Sequence, residues 1–207
     1  AAHVAGATLL LHRASWRSGP RPAMAVCRVQ SVRLLRDGPR PVDEGLAFEI
    51  RLDVAEPLKE DIVCRCMYIT DPEDNKKDHE LESIDVGAGP GLQRGVMSFI
   101  LEAPAPTRSL INMSGGPLDV AGMYLSVVYK GSEFCRVGYY VRHEYDDEDL
   151  RQSPPEEPDW PRLQRVLQPL EPPATSFPND WDGLPPEAGL RDAGSAEAPA
   201  PAGAPAA

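Results

Sequence analysis

The stretch Leu46-Ala47-Phe48-Glu49-Ile50-Arg51-Leu52-Asp53-Val54 places large apolar side chains at every second position. Successive side chains of a β-strand point to opposite faces, so this period of two predicts a strand that is buried on one face. A strand of this kind needs a second layer against which its apolar face can pack. The stretch therefore predicts a layered β protein.

Six further strand-like runs lie around this stretch, between Met24 and Arg142. Turn signals separate them, and Gly131, between the last two runs, is a clear hairpin signal. Seven short strands predict an all-β, antiparallel β-sandwich. No ten-residue stretch carries an apolar helical stripe, which disfavours a doubly wound α/β fold and most nucleotide-binding architectures. The six runs are 25–35, 62–69, 81–86, 96–101, 120–129 and 133–142.

The charge of this 207-residue chain is concentrated in its last third. Residues 1–142 carry 17 basic and 18 acidic side chains, whereas residues 143–207 carry 4 basic and 14 acidic ones. Phosphate neutralisation needs clustered Lys and Arg, so direct nucleic-acid binding is disfavoured and basic proteins are the natural partners. No apolar run is long enough to predict a transmembrane helix, and no membrane partner is expected.

Both ends of the chain are expected to lie outside the folded core, which is predicted to span residues 24–182. Residues 1–23 contain three arginines, two histidines and no acid. This composition is typical of an organelle transit peptide, and a gene model extended upstream of Met24 would look the same. Residues 183–207 are rich in Ala, Pro and Gly and are predicted to end the chain as a disordered, acidic, Pro-rich tail.

The region between residues 154 and 186 contains ten of the 23 prolines. Proline fixes φ and lacks a backbone donor, so this region is expected to form no sheet and only short helices. One short helix is predicted here, with Asp159 as its N-cap and with Leu163, Val166 and Leu167 at helical spacing.

Catalytic and metal-binding motifs are absent from the sequence. It contains no G-x-S-x-G elbow, no P-loop and no H-E-x-x-H motif. His79 and His143 are predicted to be solvated surface imidazoles, and the acidic runs 71–82 and 144–149 lack the ligand spacing of an EF-hand. We therefore expect no enzyme activity, no cofactor and no metal; the acidic runs form either a solvated face or a protein-binding patch.

The four cysteines, Cys27, Cys64, Cys66 and Cys135, are predicted to be reduced thiols of the core. Two disulfides in a secreted chain are the first alternative. A zinc site is the second, but one C-x-C with scattered partners does not have the usual ligand spacing.

The segment 131–141, Gly-Ser-Glu-Phe-Cys-Arg-Val-Gly-Tyr-Tyr-Val, carries the strongest local signal in the chain. Together with a Pro-rich sequel that ends at Trp181-Asp182, it resembles the anti-silencing-function family of histone chaperones. The resemblance runs in order over about residues 25–182, with upstream matches that include Phe48-Glu49-Ile50, Glu60-Asp61, Val86-Gly87 and Ala103-Pro104.

This resemblance implies an elongated immunoglobulin-like β-sandwich and a function without catalysis. Members of the family bind the histone H3–H4 dimer on a concave sheet face and hand it to downstream chaperones during nucleosome assembly and disassembly. The implied protein is a nuclear monomer. Its H3 site buries an apolar helix face, and its H4 site accepts the H4 tail as an added strand.

The residues implied to bind histone H3 lie mainly on the last two predicted strands. Arg136 and Tyr140 match positions that contact H3, and Tyr139 matches an aromatic that supports them. Gly122 departs from the family, which places an apolar side chain, usually valine, there; a register shift would bring Val120 or Met123 to this place. The implied H3 set is Asp78, Val120, Gly122, Tyr124, Arg136, Tyr139 and Tyr140.

Two further sites are implied by the resemblance. Ala174 and Thr175 match the segment that pairs with the H4 tail, although the neighbouring Pro172-Pro173 weakens strand pairing because proline donates no hydrogen bond. A second surface, on the opposite sheet, binds a short basic segment of downstream chaperones. Its acidic pair is Glu60 and Asp61, and its apolar floor is Ile84 and Val86.

Other interpretations of these residues stay open. Glu60-Asp61 is also typical of a charged turn, and Tyr139-Tyr140 is also typical of cross-strand stabilisation. The departures at Gly122 and Pro172-Pro173 keep open an immunoglobulin-like interaction adaptor that has lost tight histone binding. An enzyme is the third possibility, for which the sequence offers no nucleophile, base or metal set.

Overall fold

A computed structural model describes residues 26–87 and 91–182 of the chain. The predicted leader, 1–23, and the predicted tail, 183–207, lie outside the described residues. The strands are β1 Cys27–Leu34, β2 Arg40–Pro41, β3 Leu46–Val54, β4 Ile62–Ile69, β5 His79–Val86, β6 Gly95–Ala103, β7 Ala121–Tyr129, β8 Ser132–Tyr145, β9 Leu163–Gln168 and β10 Ala174–Ser176.

These strands form two antiparallel sheets, which confirms the predicted immunoglobulin-like sandwich. One sheet has the order β1-β3-β6, and the other has the order β2-β9-β8-β7-β4-β5, with β10 paired to β8. In the larger sheet β8 pairs with β7 along one edge, and its other edge is long enough to pair with β10 at residues 135–137 and with β9 at residues 140–145. Strands β5 and β10 thus lie at opposite sides of the larger sheet.

The alternation of β3 builds the interface between the two sheets. Phe48, Ile50 and Leu52 are fully buried, whereas Arg51 is exposed. The Phe48 ring contacts the ring of Tyr139 on β8, with centroids 5.5 Å apart. Each such buried side chain stabilises the fold by about 1.5–3 kcal/mol, so β3 anchors the smaller sheet to the larger one.

The four cysteines are all buried and unpaired, as predicted for core thiols. Burial raises the pKa of the Cys27, Cys66 and Cys135 thiols to about 12 and raises that of Cys64 further. These thiols are therefore protonated and unreactive in the folded protein.

The helix predicted from Asp159 is wrong. A short 3-10 turn, Trp160–Arg162, is followed by strand β9. Leu163 and Leu167 are buried together with Arg165, which is a period of two rather than 3.6. The Arg165 guanidinium donates to the carbonyl oxygens of Val42 and Glu44. This segment pairs with residues 140–145 of β8, and that pairing decides its conformation.

The prediction that the Pro-rich region contains no sheet is also wrong, because β9 and β10 both lie within it. The segment 163–168 is free of proline and borders the unpaired end of β8, so strand pairing is available to it. Two short helices were not predicted: α1, Arg108–Met113, and α2, Glu148–Gln152. Thr107 and Asp147 cap them by accepting hydrogen bonds from backbone N–H groups.

His143 is not a surface imidazole, contrary to the prediction, whereas His79 is exposed as expected. His143 lies on the inward face of β8, directly opposite Arg165 of β9. Burial, followed by the positive charge of Arg165, lowers the pKa of His143 to about 4. The side chain is therefore neutral near pH 7.

The end of the described chain closes the sandwich. Trp181 is buried and packs against the rings of Tyr129 and Phe134. The Asp182 carboxylate accepts hydrogen bonds from the Tyr129 hydroxyl at 2.6 Å, from the backbone N–H of Lys59 at 3.2 Å and from Lys130. Lys130 and Tyr129 lower the pKa of Asp182 to about 2.

Candidate functional site

The outer face of β7 and β8 brings most of the predicted H3-binding residues together. Gly122 lies opposite Tyr140, and Tyr124 lies opposite Gly138. Arg136 lies opposite Ser126 on the same face. Met123 points into the core and is 1% exposed, so the alternative register that would place it on this face is wrong.

The face presents two large apolar side chains to solvent. Tyr140 is 66% exposed, and Val120, one residue before β7, is 61% exposed. Gly122 on β7 and Gly138 on β8 contribute no side chains of their own to this face. Exposed aromatic and aliphatic groups on an open sheet face are typical of an interaction surface.

Arg136 is held rigidly at one end of this face. Its guanidinium carbon lies 4.3 Å from the centroid of the Tyr124 ring, a cation–π contact. Its Nε and Nη2 donate to the two carboxylate oxygens of Glu133, at 3.0 and 2.7 Å. This bidentate pair raises the pKa of Arg136, leaves its Nη1 unused by Glu133 and orients the group.

Sequence reasoning missed Glu133, although it lies within the segment that carries the resemblance. In a regular strand, residues three apart point to opposite faces. The register of β8 against β7 shifts between Cys135 and Glu133, so Phe134 is an extra residue in a β-bulge. The bulge returns Glu133 to the face of Arg136, and no sequence periodicity could have shown this.

Asp78 joins the same cluster from the residue just before β5. Its Oδ2 accepts a hydrogen bond of 2.8 Å from the Tyr124 hydroxyl. Burial and this bond raise the pKa of Tyr124 to about 12. Asp78 Oδ1 is buried and accepts no hydrogen bond from the described residues.

Tyr139 points the other way from Tyr140. It is 3% exposed and lies in the core, so it does not present a surface to a partner. It supports the face from beneath through its contact with Phe48, which fits the supporting role implied by the resemblance.

The predicted H4-pairing segment forms strand β10 immediately after Pro172-Pro173. Ala174 and Thr175 lie opposite Val137 and Arg136 of β8, and all three residues of β10 are exposed. The two prolines therefore do not prevent this pairing.

The outer edge of β10 pairs with no other strand in the ranges 26–87 and 91–182. The Phe177 N–H donates to the Phe134 carbonyl at 2.8 Å, which extends the ladder with β8. Because backbone polar groups alternate between the two sides of a strand, those of Ala174 and Ser176 point away from β8.

The second predicted surface does not lie on the opposite sheet, so that part of the prediction is wrong. Glu60, Asp61, Ile84 and Val86 gather where β4 begins and the edge strand β5 ends, in the same sheet as β7 and β8. Val86 is buried and Ile84 is half-buried, on the core-facing side of β5. The four residues meet at one corner of the larger sheet.

The two acids of this corner have different surroundings. Glu60 is largely exposed, with a carboxylate oxygen 4.0 Å from Lys130 Nζ. Asp61 Oδ1 accepts a hydrogen bond of 3.0 Å from the Gly91 N–H. A Cβ on Gly87 would overlap the Asp61 carboxylate, so glycine is required for this close approach.

Ile69 of β4 is the second residue that sequence reasoning missed on the face of Tyr140. It pairs directly with Gly122 and is half-buried. Its position follows from the pairing of β4 with β7, which brings together residues 53 positions apart. The run 62–69 was predicted as a strand, but its neighbour in the sheet was not.

Two kinds of feature were not found in the part of the chain that the structure describes. No helix there has the length and apolar character needed to cross a membrane. No group of three or more His, Cys, Asp or Glu side chains there is placed to hold a metal ion.

Comparison with known proteins gives one consistent result. The sequence pattern of the family described as ASF1 like histone chaperone matches residues 24–182. The chain is 36% identical over 162 residues to the histone chaperone ASF1B of Mus musculus, which covers 78% of each protein. It is 36% identical over 146 residues to asf1b of Xenopus tropicalis, covering 70% of this chain and 71% of that protein. Human ASF1B is 35% identical over 159 residues, or 77% of this chain and 76% of that protein.

Proposed function

The chain belongs to the family of ASF1-like histone chaperones, and on this premise we propose that it binds the histone H3–H4 dimer through the outer face of β7 and β8. The observation that carries the proposal is the exposed pair Tyr140 and Val120 beside the ordered charges of Arg136 and Asp78. An apolar helix face flanked by polar side chains is the complement of such a surface.

Each group has a specific role in this proposal. Tyr140 and Val120 bury apolar surface against the H3 helix. Tyr124 lies between Arg136, which contacts its ring, and Asp78, which accepts a hydrogen bond from its hydroxyl. Arg136 uses its remaining N–H groups for a carboxylate or a helix C-terminus. Asp78, half-buried beside Tyr124, provides a carboxylate for a basic side chain of the histone.

The proposal is tested by titrating the full chain into purified H3–H4 at near-physiological salt. Arg136→Glu and Tyr140→Ala are each expected to raise the dissociation constant by about tenfold or more, as for anchor residues at interfaces. Arg51→Glu, on the outer face of the smaller sheet, is the matched charge reversal, and Leu35→Ala removes an exposed apolar side chain elsewhere. If all four variants bind like the unmutated chain, the assigned face is wrong.

We place the H4 tail on the outer edge of β10. The outward backbone groups of Ala174 and Ser176 would form the ladder, and Pro173 and Pro178 limit it to four residues of this chain. Thr175→Pro removes a donor that faces β8 and detaches β10, whereas Ser176→Pro removes an outward donor. Loss of H4-tail peptide binding in Ser176→Pro, with β10 still protected from hydrogen exchange at Thr175, would support this edge; unchanged binding would exclude it.

We assign the corner of Glu60, Asp61, Ile84 and Val86 to a short basic segment of a downstream chaperone. Exposed acids beside the half-buried Ile84 and the free edge of β5 suit a basic strand with one apolar side chain. The double variant Glu60→Ala, Asp61→Ala should lose such a segment and retain H3–H4. Equal loss of both partners would contradict two separate surfaces.

The proposed protein is a nuclear, monomeric chaperone that changes no covalent bond in its partner and takes part in nucleosome assembly and disassembly. Each of its proposed steps is the non-covalent binding or release of a partner, for which no nucleophile or base is needed. Light scattering of the free chain and of its mixture with H3–H4 tests both the monomer and the one-to-one complex with the dimer.

An interaction adaptor without tight histone binding is the second candidate, and the absent side chain at Gly122 favours it. It predicts weak H3–H4 binding that Tyr140→Ala leaves unchanged and that salt abolishes. Tight binding that Tyr140→Ala removes would reject it.

A further inference from the structure

Gly122 lies at the centre of the proposed H3-binding face and contributes no side chain to it. It is paired with Ile69 of β4 on one side and with Tyr140 of β8 on the other. A Cβ atom on Gly122 would lie 2.8 Å from Ile69 Cδ1 and 3.6 Å from Ile69 Cβ and Cγ1. The Ile69 side chain therefore leans across the strand and covers the backbone of Gly122.

The covering side chain keeps the centre of the face apolar. Ile69 points outward and is half-buried, whereas its neighbours Tyr68 and Thr70 are buried. Across β7, Tyr140 is exposed next to it. A bare glycine would have left backbone polar groups and a hollow here, but the branched side chain of Ile69 fills that hollow.

We propose that Ile69 supplies the central apolar contact of the H3-binding face, in the space that a side chain at position 122 would otherwise occupy. The inference rests on the proposed function, since it names a specificity residue of the same face. A Cβ at 122 would crowd the Ile69 Cδ1, so a side chain there would displace the end of Ile69 from the space that it now fills.

Geometry allows the side chain to be moved from one strand to the other. Gly122 does not lie in the left-handed region of φ, so its backbone accepts an L side chain. The atom that such a side chain would crowd is the end of the flexible Ile69 side chain rather than the backbone. Truncating the side chain at 69 while adding one at 122 therefore tests whether an apolar group is needed in this space, whichever strand supplies it.

The test is a cycle of Ile69→Ala, Gly122→Val and the double variant, each titrated as a full chain into H3–H4. Ile69→Ala should weaken binding by about tenfold, because it removes three carbon atoms from the contact. The double variant should recover binding to within about threefold of the unmutated chain, since the introduced valine side chain then fills the vacated space. Val63→Ala, on the same strand and the same side of the sheet, is the matched control and should bind normally.

Two results would overturn the inference while leaving the proposed function intact. The first is that Ile69→Ala binds like the unmutated chain, and the second is that the double variant binds no better than Ile69→Ala. In each case Arg136→Glu still loses binding, so the face itself is correctly assigned. Should Ile69→Ala fail to fold by thermal unfolding, Ile69→Thr keeps the β-branched shape, places a hydroxyl at the contact and should lose binding similarly. Normal binding by Arg136→Glu as well would instead defeat the proposed function.

Discussion

The two faces of strand β8 carry neighbouring tyrosines with opposite surroundings. Tyr139 is 3% exposed and packs on Phe48 of the other sheet, whereas Tyr140 is 66% exposed. The inward face continues with Val141 and His143, both buried, and the outward face continues with Arg142, which is exposed. One strand thus separates the residues that stabilise the fold from those available to a partner.

This separation teaches that similar side chains in one motif need different experiments. Substitutions on the inward face should change the free energy of unfolding. Substitutions on the outward face should change binding and leave unfolding nearly unchanged.

Tyr139→Ala should lower the free energy of unfolding by about 3–5 kcal/mol, because it opens a cavity between the sheets. Tyr140→Ala should change it by about 0.5 kcal/mol or less, since its ring is already in water. Urea denaturation at 25 °C, followed by circular dichroism, measures both. Equal losses in the two variants would contradict the different burial of the two rings.

His143 should make stability depend on pH through the inward face. Its pKa is about 4 in the folded chain against an ordinary value of 6.5, so as pH falls through this window the unfolded chain binds a proton that the folded chain refuses. Stability therefore falls towards acid, by up to about 3 kcal/mol for this group.

His143→Gln keeps a polar side chain of similar size and removes this titration. Its free energy of unfolding, measured between pH 7 and pH 4, should fall less steeply than that of the unmutated chain. His79→Gln, at an exposed position, is the control for losing an imidazole. Parallel curves for His143→Gln and the unmutated chain would contradict the buried, neutral state.

Tyr139→Phe should raise the free energy of unfolding by about 1 kcal/mol, because the Tyr139 hydroxyl is buried and makes no hydrogen bond with the described residues. H3–H4 binding should stay unchanged, since the ring does not reach the outward face. Destabilisation instead would mean that a partner such as an internal water satisfies this hydroxyl.

Glu133→Gln should have the smallest effect on unfolding, about 0.5 kcal/mol or less, because its pair with Arg136 is partly exposed. H3–H4 binding should weaken about threefold, a change of about 0.65 kcal/mol. Arg136 loses its orientation and the basic histone loses an attractive charge.

Glu102→Gln makes the same charge change on β6 of the smaller sheet and provides the control. It should leave the dissociation constant for H3–H4 unchanged. If Glu133→Gln binds as tightly as this control, Glu133 has no part in positioning Arg136.

Local pattern was sufficient to predict the sandwich and the turn of its central hairpin, whereas the register of that hairpin stayed open. The alternation from Leu46 to Val54 gave strand β3 with the observed bounds, because each residue of a half-buried strand reports its own face. Gly131 has φ of 75°, a conformation that favours glycine, and it marks the turn that sets Gly122 against Tyr140.

Long-range packing decided what local pattern could not. Leu163, Val166 and Leu167 satisfy a helical spacing, but the unpaired edge of β8 recruits this segment as a strand and buries Arg165. The bulge at Phe134 reverses the alternation of side chains between the two faces of β8, and no sequence signal marks it. The cover of Gly122 by Ile69 arises from a strand pairing that no single segment specifies.

The contact between Lys59 and Asp182 joins residues that are 123 positions apart in the chain. Contacts of such separation slow folding, because the long intervening segment must be arranged before they can form. During synthesis, moreover, Trp181 becomes available only after strands β1 to β10 have all been made. A nascent chain that has not yet reached this residue leaves the rings of Tyr129 and Phe134 without their cover. Their exposed apolar surface makes the unfinished protein prone to aggregation at the place where Trp181 docks.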